Sequence, residues 1–278
     1  MVDPTADISA TVDIESIIAI ARQAGDLVVR MQDQGLSDIQ SKSNDIDLVT
    51  EADLASEKLI RDELTDRYPD FGFWGEESNT PPTTALYWIV DPIDGTVNYA
   101  NGIPFYAVNI ALQHAANALL AVTVELPVGR VYWAELGRGA YVREANGSES
   151  RLVVNRVDRL RRAIISTGFP YDRAENPDNN SREFAYFMPR CQGVRRMGAA
   201  AIDLAYVAAG IFSGHWENGL NPWDISPGAL LVQEAGGLVT DYQGNPWTPT
   251  SRAFVASNGH PDLHQALLDG IRSVRAAP

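Results

Sequence analysis

The segment Asp91-Pro92-Ile93-Asp94 combines residue types that can hold a metal ion. Pro92 suits the second position of a tight turn and cannot continue a strand ladder, so we expect the preceding strand to stop at Asp91. A turn at this point would place the carboxylates of Asp91 and Asp94 on one side, with the Ile93 carbonyl between them. Carboxylate and carbonyl oxygens are the ligands that hard divalent cations prefer. The segment therefore predicts an oxygen cluster for a cation.

Gly95 and Thr96 follow directly, where the pattern predicts the start of a helix. Unpaired backbone N–H groups and the positive end of the helix dipole favour an anion such as phosphate there. Taken alone, however, residues 91 to 96 are more often an ordinary strand-to-helix turn, since Asp-Pro and Asp-Gly are common turn dipeptides. The metal interpretation therefore depends on acids from elsewhere in the chain.

Acids at two other predicted junctions provide that support. Glu76 follows a short apolar strand at Phe71 to Trp74, and Asp224 lies at the N-terminus of a predicted helix. Each of these acids alone would be a solvated loop residue or a helix cap. Together with Asp91 and Asp94 they lie where strands end or helices begin, which is where open α/β sheets gather their functional groups. A carboxylate set without Cys or His favours Mg²⁺ or Mn²⁺ over Zn²⁺.

One further acid, Asp53, is predicted to face the core. Thr50-Glu51-Ala52-Asp53 resembles a capping box that opens a helix, with Asp at the position where Glu is usual. Asp53 shares a helix face with Ile60 and Leu64, so its carboxylate should point inward. Simple capping of backbone amides is the alternative explanation for this acid.

The composition is that of a globular protein without a surface for polyanions. The chain has 278 residues, 45% of them hydrophobic, and a formal net charge of −14. This balance argues against binding to nucleic acid or to an anionic membrane, which requires clustered Lys and Arg. The single cysteine, Cys191, excludes an intramolecular disulfide. Because the N-terminus is polar and no long apolar run occurs, we expect a cytoplasmic protein without a membrane span.

The hydrophobic periodicity predicts one domain over residues 1 to 278, made of two packed halves. The N-terminal half, about 13 to 155, follows a loose arm over residues 1 to 12. It should contain a helix to about Gln34, a polar loop from Ile39 to Val49, and an antiparallel meander from Phe105 to about Val154.

The C-terminal half, about 160 to 278, alternates strands with helices, one of them from about Ser226 to Ala235. His260 and His264 are four residues apart in the last predicted helix. Because no acids neighbour them, we interpret both as surface residues rather than metal ligands. The sequence thus predicts an α/β protein with a carboxylate metal site.

The chain resembles the inositol monophosphatase family along nearly its whole length. The motifs that carry the resemblance are Gly75-Glu76-Glu77-Ser78, the stretch from Trp88 to Asn98, Trp223-Asp224 followed by Glu234-Ala235-Gly236-Gly237, and Asp47 to Asp53. The family consists of Mg²⁺-dependent, lithium-sensitive phosphomonoesterases, so the resemblance implies that activity. It also implies a layered αβαβα sandwich of the inositol monophosphatase and fructose-1,6-bisphosphatase type, in a protein that is usually a homodimer.

The resemblance implies roles for individual acids. Glu76, Asp91 and the Ile93 carbonyl look like ligands of a first Mg²⁺, and Asp91, Asp94 and Asp224 look like ligands of a second. A third, weaker ion would depend on Glu76. Asp53 and Thr96 look like the pair that orients and deprotonates the attacking water. Such two-metal sites activate a water and stabilise the leaving oxygen during in-line displacement.

Further residues are implied in binding the substrate or supporting the site. The phosphate and alcohol would contact Asp94, Gly95, Thr96, Gly198, Ala199, Ala200 and Glu217. Supporting positions would be Lys42, which borders the water network, and Asp47.

The sequence leaves the substrate alcohol open. Glu217 favours a polyol such as that of inositol 1-phosphate, but related branches cleave fructose 1,6-bisphosphate, histidinol phosphate or 3′-phosphoadenosine 5′-phosphate. The loop from Gly168 to Asp172 and the pair Arg195-Arg196 resemble bacterial members. A mainly partner-binding, regulatory role is the alternative from another class, and the intact pair of Asp53 and Thr96 argues against it.

Overall fold

The computed structural model describes residues 11–35, 39–45 and 47–276. The predicted N-terminal arm lies almost entirely outside these residues. The helices are α1 (Ile14–Gln34), α2 (Glu51–Arg67), α3 (Thr96–Ala100), α4 (Ser181–Phe187), α5 (Ala200–Ala208), α6 (Pro222–Glu234) and α7 (Pro261–Arg275). The strands are β1 (Ile39–Ser41), β2 (Leu48–Thr50), β3 (Gly72–Gly75), β4 (Leu86–Asp94), β5 (Ala107–His114), β6 (Asn117–Glu125), β7 (Arg130–Glu135), β8 (Gly139–Arg143), β9 (Glu149–Arg151), β10 (Ile164–Thr167), β11 (Gly193–Arg195), β12 (Gly214–Asn218), β13 (Leu238–Thr240) and β14 (Ala253–Ser257).

Two sheets organise the chain. The larger sheet has seven strands in the order β3-β4-β5-β6-β7-β8-β9, and only its β3–β4 pair is parallel. The smaller sheet has five strands in the order β11-β10-β12-β14-β13, with β10 parallel to both of its neighbours. The predicted meander from Phe105 to Val154 is confirmed as strands β5 to β9.

Helices cover both sheets and separate them. α1 and α2 pack on the outer face of the larger sheet, α5 and α6 lie between the two sheets, and α7, which packs against α4, covers the outer face of the smaller sheet. The predicted αβαβα sandwich is therefore confirmed. No helix in the described part of the chain combines the length and the apolar character needed to cross a bilayer.

Local sequence signals explain where the helices that border the site begin. Asp13 caps α1 by accepting hydrogen bonds from the backbone N–H groups of Glu15 and Ser16, and Gly35 ends that helix with a positive φ of 87°. Thr50 and Asp53 form the predicted capping box at the start of α2. Because this helix begins where the sequence predicts, Asp53 is buried beneath the larger sheet.

Three predictions about local structure were wrong. β4 does not stop at Asp91: its pairing with β5 resumes at Asp94 after a register shift, which accommodates the missing N–H of Pro92. The segment from Ile39 to Val49 is not only a loop, because β1 and β2 pair as a small antiparallel hairpin. α6 begins at Pro222 rather than near Ser226, since Asn221 and Asp224 cap it and Pro is tolerated in a first turn.

The interpretation of His264 as a surface residue was also wrong. His264 is buried, with Nε2 3.0 Å from the Thr240 Oγ1 and Nδ1 2.9 Å from the Ser257 Oγ. Burial, together with the charge of Arg272, lowers the pKa of His264 to about 4. The residue therefore links α7 to β13 and β14 as a neutral ring.

Close packing of α5 on α6 depends on Gly228. A Cβ at Gly228 would lie 2.5 Å from the Cβ of Leu204, which is fully buried in α5. We therefore expect Gly228→Ala to lower the free energy of unfolding by about 1–2 kcal/mol, because overpacking outweighs the helix propensity of Ala. Denaturant titration of the variant measures this change.

A double-mutant cycle with Leu204→Ala provides the control. Once Leu204 is shortened, Gly228→Ala should cost less, because two of the three close atoms, Cγ and Cδ1, have been removed and only the contact with the Cβ remains. Unchanged stability of the single Gly228→Ala variant would contradict the packing argument.

Candidate metal-dependent active site

One cavity of about 510 Å³ brings together nearly all the predicted site residues. Its walls include Lys42, Asp47, Glu76, Asp91, Ile93, Asp94, Gly95, Thr96, Gly198, Ala199, Ala200, Glu217 and Asp224. Asp53 lies just behind the wall, in contact with Thr96. Acidic side chains outnumber basic ones along the cavity, as expected for a site that recruits cations.

Asp91, Asp94 and Asp224 form the centre of the site. One carboxylate oxygen from each lies within 4.8 Å of the other two. Asp91 and Asp94 flank the irregularity in β4, where the register shift lets both carboxylates face the cavity. Asp224 comes from the first turn of α6, where its Oδ2 accepts a 2.7 Å hydrogen bond from the Asn221 N–H. This spacing of hard oxygens suits a divalent cation.

Burial and mutual repulsion make this cluster unfavourable without a counter-charge. Burial, followed by the charge of Glu76, raises the pKa of Asp91 and Asp224 well above the ordinary value. Burial also raises the pKa of Asp94 to about 7, although hydrogen bonds from the Ala201 and Ala200 amides oppose the shift. A bound cation would remove this penalty, so the donor set fits a metal ion.

The turn that carries Glu76 is anchored from two sides. The Glu76 N–H donates to the Val90 carbonyl at 3.1 Å, which places Glu76 beside the end of β4. The Glu57 carboxylate, buried in α2, accepts hydrogen bonds from the Glu77 and Ser78 N–H groups at 2.7 and 3.0 Å. Gly75 is required there, because a Cβ would lie 2.3 Å from Glu57 Oε2.

Lys42 forms direct ion pairs at the cavity rim. Its Nζ lies 2.7 Å from Glu76 Oε1 and 2.6 Å from Glu77 Oε1. Burial would lower the pKa of Lys42, but the two glutamates raise it above its ordinary value. Glu77 has a pKa raised to about 7 by burial and by Glu76. Lys42 thus orients Glu76 and offsets part of the negative charge.

Asp53 and Thr96 lie in contact, as the resemblance implies. The Thr96 hydroxyl lies 3.3 Å from Asp53 Oδ1 and 3.0 Å from the Ile93 carbonyl. Asp53 Oδ2 accepts hydrogen bonds from the Thr50 N–H and hydroxyl at 2.8 and 2.6 Å. Burial raises the pKa of Asp53 to about 6, against the effect of those bonds. A carboxylate with such a pKa is suited to accept a proton near neutral pH.

Asp94 also joins the larger sheet to α5 in the middle layer. Its oxygens accept hydrogen bonds from the Ala200 and Ala201 amides at 3.2 and 2.7 Å, at the N-terminus of α5. These bonds occupy the Ala200 amide, so only other atoms of residues 198 to 200 remain for a ligand. Gly95 adopts a left-handed φ of 90°, and a Cβ there would lie 3.1 Å from the Gly198 carbonyl. The loop before α5 can therefore approach α3 closely.

Sequence reasoning named Glu217 but missed two residues beside it, His215 and Asp203. Glu217 lies at the end of β12, and His215 and Asp203 lie beside it, both almost fully enclosed. Burial, Glu217 and Asp94 raise the pKa of Asp203 well above the ordinary value. Gly168 makes room for Glu217, because a Cβ would lie 1.9 Å from its Oε1.

The sequence did contain signals for these residues. Asp203 is an acid within an otherwise apolar helix, and Asp53 was noted for a related reason, since it shares a helix face with Ile60 and Leu64. Glu57 lies one helical turn after Asp53 on the same face. His215 and Glu217 are two residues apart in a strand, so both side chains point to one face of the sheet.

The fold and the acid cluster together define a class: a layered α/β sandwich with a buried carboxylate site between its two sheets. Comparisons with known proteins identify the class further. A sequence model described as "Inositol monophosphatase family" matches residues 10–276. The chain belongs to the inositol monophosphatase family.

Named relatives agree with this assignment. The chain is 38% identical to an inositol-1-monophosphatase of Caulobacter vibrioides over 237 residues, which cover 84% of this chain and 90% of that protein. It is 40% identical to the Nus factor SuhB of Pseudomonas aeruginosa over 245 residues, which cover 86% and 88%. The IMPase structure from Thermotoga maritima superposes with a TM-score of 0.83 at 30% identity, covering 93% and 96%. Family membership supports the prediction of a phosphatase.

The raised pKa of Asp94 predicts a pH dependence of stability in the metal-free protein. The pKa is about 7 in the folded state, against an ordinary value of 3.8. Between these values the folded state holds a proton that the unfolded state has released, so this contribution to stability decreases as pH rises through that window. Asp94→Asn removes the contribution. The melting temperature of Asp94→Asn relative to wild type should therefore increase from about pH 4 to pH 7.

The experiment is thermal unfolding in chelator across that range. Comparing the two proteins at each pH cancels titrating groups that do not interact with Asp94, such as His264, whose lowered pKa acts in the opposite direction. Asp91 and Asp224, whose pKa the charge of Asp94 raises, lose part of that increase in the variant, which adds to the same trend. Loss of an amide hydrogen bond in the variant adds an offset to the difference in melting temperature but does not give it a pH dependence. A difference in melting temperature that does not vary with pH would contradict the argument.

Proposed function

We propose that this protein is a Mg²⁺-dependent phosphomonoesterase that hydrolyses inositol 1-phosphate or a similar polyol phosphate. One observation carries the proposal: the clustered carboxylates of Asp91, Asp94 and Asp224 lie in the same cavity wall as Thr96, which contacts the buried Asp53. The acids match the ligand chemistry of hard divalent cations, and the Asp–Thr pair matches the chemistry of a general base.

The residues that would hold metal ions follow from the donor set. Glu76, Asp91 and the Ile93 carbonyl would bind one Mg²⁺, and Asp91, Asp94 and Asp224 would bind a second. Glu76 would also hold a third, weaker ion, and Mn²⁺ is a plausible substitute for each. When bound, such ions supply Lewis-acid polarisation and a lowered pKa for water. Asp91 would bridge the two main sites.

Asp53 and Thr96 would move the proton of the attacking water. Thr96 has its hydroxyl oxygen within reach of both Asp53 and the Ile93 carbonyl, so it can pass on a proton while it orients a water. The raised pKa of Asp53 favours its acceptance of that proton. Lys42 would keep Glu76 oriented beside the same water.

The remaining wall residues would bind the substrate. The N–H groups of Gly95 and Thr96, at the start of α3, would donate hydrogen bonds to the phosphate, and Asp94 would contact the substrate beside them. Glu217 and the backbone from Gly198 to Ala200 would face the alcohol. Glu217 is an acceptor for hydroxyl groups, which favours a polyol over an apolar alcohol.

A mainly partner-binding role is the alternative that the relatives named SuhB raise. A binding module has no use for a buried base in contact with a threonine at a carboxylate cluster, so the enzymatic role is the better proposal. We also infer from the family resemblance a single domain, a homodimer, a cytoplasmic location and sensitivity to Li⁺.

We expect purified protein to release phosphate from inositol 1-phosphate with Mg²⁺, to lose this activity in chelator and to regain it when Mg²⁺ is restored. Fructose 1,6-bisphosphate, histidinol phosphate and 3′-phosphoadenosine 5′-phosphate, each with and without Li⁺, complete the screen. Asp91→Asn, which keeps the side-chain shape, serves as the inactive control. Phosphate release that persists in chelator and in Asp91→Asn would exclude the proposed metal site.

Asp53→Asn tests the proposed base separately from the metal ligands. We expect kcat to fall roughly 10²- to 10⁴-fold, the range for loss of a general base. Binding of Mg²⁺, followed as an increase in melting temperature, should be retained, because Asp53 is not among the proposed ligands. A variant with near-normal kcat would show that Asp53 does not activate the water.

A further inference from the structure

A buried polar layer lies behind Glu217, and the proposed metal chemistry uses none of it. His215 and Ser166 are partners in the parallel pair β10–β12, and both are almost fully enclosed. The Ser166 Oγ lies 2.8 Å from His215 Nδ1. On the other side of the ring, His215 Nε2 lies 3.3 Å from Glu217 Oε2. The three side chains therefore form a chain from the sheet interior to the cavity wall.

The charge of Glu217 influences which nitrogen of the His215 ring carries the hydrogen. If Nδ1 carried the hydrogen of a neutral ring, the lone pair of Nε2 would face a carboxylate oxygen at 3.3 Å. The other tautomer places an N–H there, and the Ser166 hydroxyl can rotate to donate to Nδ1. A second carboxylate, that of Asp203, faces Nδ1, but its Oδ2 lies farther away at 3.7 Å and the Ser166 hydroxyl is closer to that nitrogen. The tautomer with the hydrogen on Nε2 is therefore favoured.

The Nε2–H group of His215 does not form a well-aligned hydrogen bond to any residue that the structure describes. Among the described residues Nε2 has no aligned hydrogen-bond partner, although Glu217 lies within ion-pair distance. A buried donor without a partner is unfavourable. A small rotation of the Glu217 side chain would complete the bond, so the ring draws this carboxylate toward one orientation.

The surroundings of Glu217 limit its other orientations. Gly168, which follows β10, leaves room for the Glu217 carboxylate. A Cβ added at Gly168 would lie 1.9 Å from Glu217 Oε1. The side chain is therefore bounded by His215 and by the Gly168 backbone, and it lines the cavity. A carboxylate fixed in this way presents its acceptor oxygens in a defined direction.

We propose that His215, held by Ser166, is a positioning residue that fixes the Glu217 carboxylate to accept a hydrogen bond from a hydroxyl of the substrate alcohol. This inference rests on the proposed function, in which Glu217 faces the alcohol. It predicts that His215 affects recognition of the alcohol and not of the phosphate. The cavity-wall residues beside it are Glu217 and Asp203, whose Oδ2 lies 3.7 Å from His215 Nδ1, and neither is among the residues proposed to bind the phosphate.

His264, which lies in α7 and contacts β13 and β14 of the same sheet, provides a matched comparison. It is also buried, but both of its ring nitrogens are engaged by hydroxyls, those of Thr240 and Ser257. It is absent from the cavity wall. A substitution of His264 therefore reports the effect of losing a buried histidine without altering Glu217.

The test compares His215→Phe, His215→Gln, Ser166→Ala and His264→Phe in steady-state kinetics with Mg²⁺ and inositol 1-phosphate. His215→Phe should raise KM roughly tenfold, as expected for loss of a charge-assisted hydrogen bond. The inhibition constant of inorganic phosphate should not change. His215→Gln, which restores an N–H donor, should return KM most of the way to the wild-type value. Ser166→Ala should raise KM by a smaller factor and carries the test if His215→Phe does not fold.

The outcomes separate this inference from the proposed function. If KM in His215→Phe rises no more than in His264→Phe, or if the inhibition constant of phosphate rises in parallel, His215 does not position Glu217. A glutamine variant that behaves like the phenylalanine variant would also overturn the role of the N–H. Wild-type protein that releases no phosphate from inositol 1-phosphate would overturn the choice of substrate, and this inference with it, whereas normal wild-type turnover leaves only His215 in question.

Discussion

The repulsion among the buried carboxylates of Asp91, Asp94 and Asp224 is the constraint on which the rest of the structure depends. Acids taken out of water repel one another and raise each other's pKa, so the cluster is tolerated only where surrounding groups stabilise charge. The protein supplies some of that stabilisation through the α5 amides at Asp94 and the Asn221 amide at Asp224. The remainder suits divalent cations, whose charge also attracts a phosphate to a protein of strongly negative net charge.

The layered architecture brings the acids together from different sheets and helices. β3 and β4 are parallel, so Glu76 and Asp91 leave the same edge of the larger sheet. α6 lies between the sheets and delivers Asp224 from its first turn to the same point. The register shift in β4 then lets Asp94 face the cavity beside Asp91 rather than the opposite side of the sheet. Each acid thus depends on an element whose position is set by packing over a large core.

Sequence patterns identified the elements whose cause is local. The cap at Thr50, the inward face of Asp53 and the meander of short strands all follow from residue spacing that one segment contains. The β4 irregularity does not, because it depends on how β5 continues past Pro92. The burial of His264 depends on hydroxyls from β13 and β14, which no spacing within α7 indicates. Sequence reasoning therefore assembled the acids, but it did not single out His215 and Ser166 behind Glu217, because their contact joins distant strands.

The clustered acids and Glu217 are held by different elements of the fold. The acids and the Asp53–Thr96 pair come from α2, β3, β4, α3 and α6, whereas Glu217 and its supporting residues come from β10 and β12. A change in the smaller sheet can therefore alter the cavity around Glu217 without moving a carboxylate of the cluster. Asp94 is the exception, because its hydrogen bonds to the start of α5 connect the two parts. If the proposed roles hold, recognition of the alcohol is separable from the metal chemistry, except through Asp94.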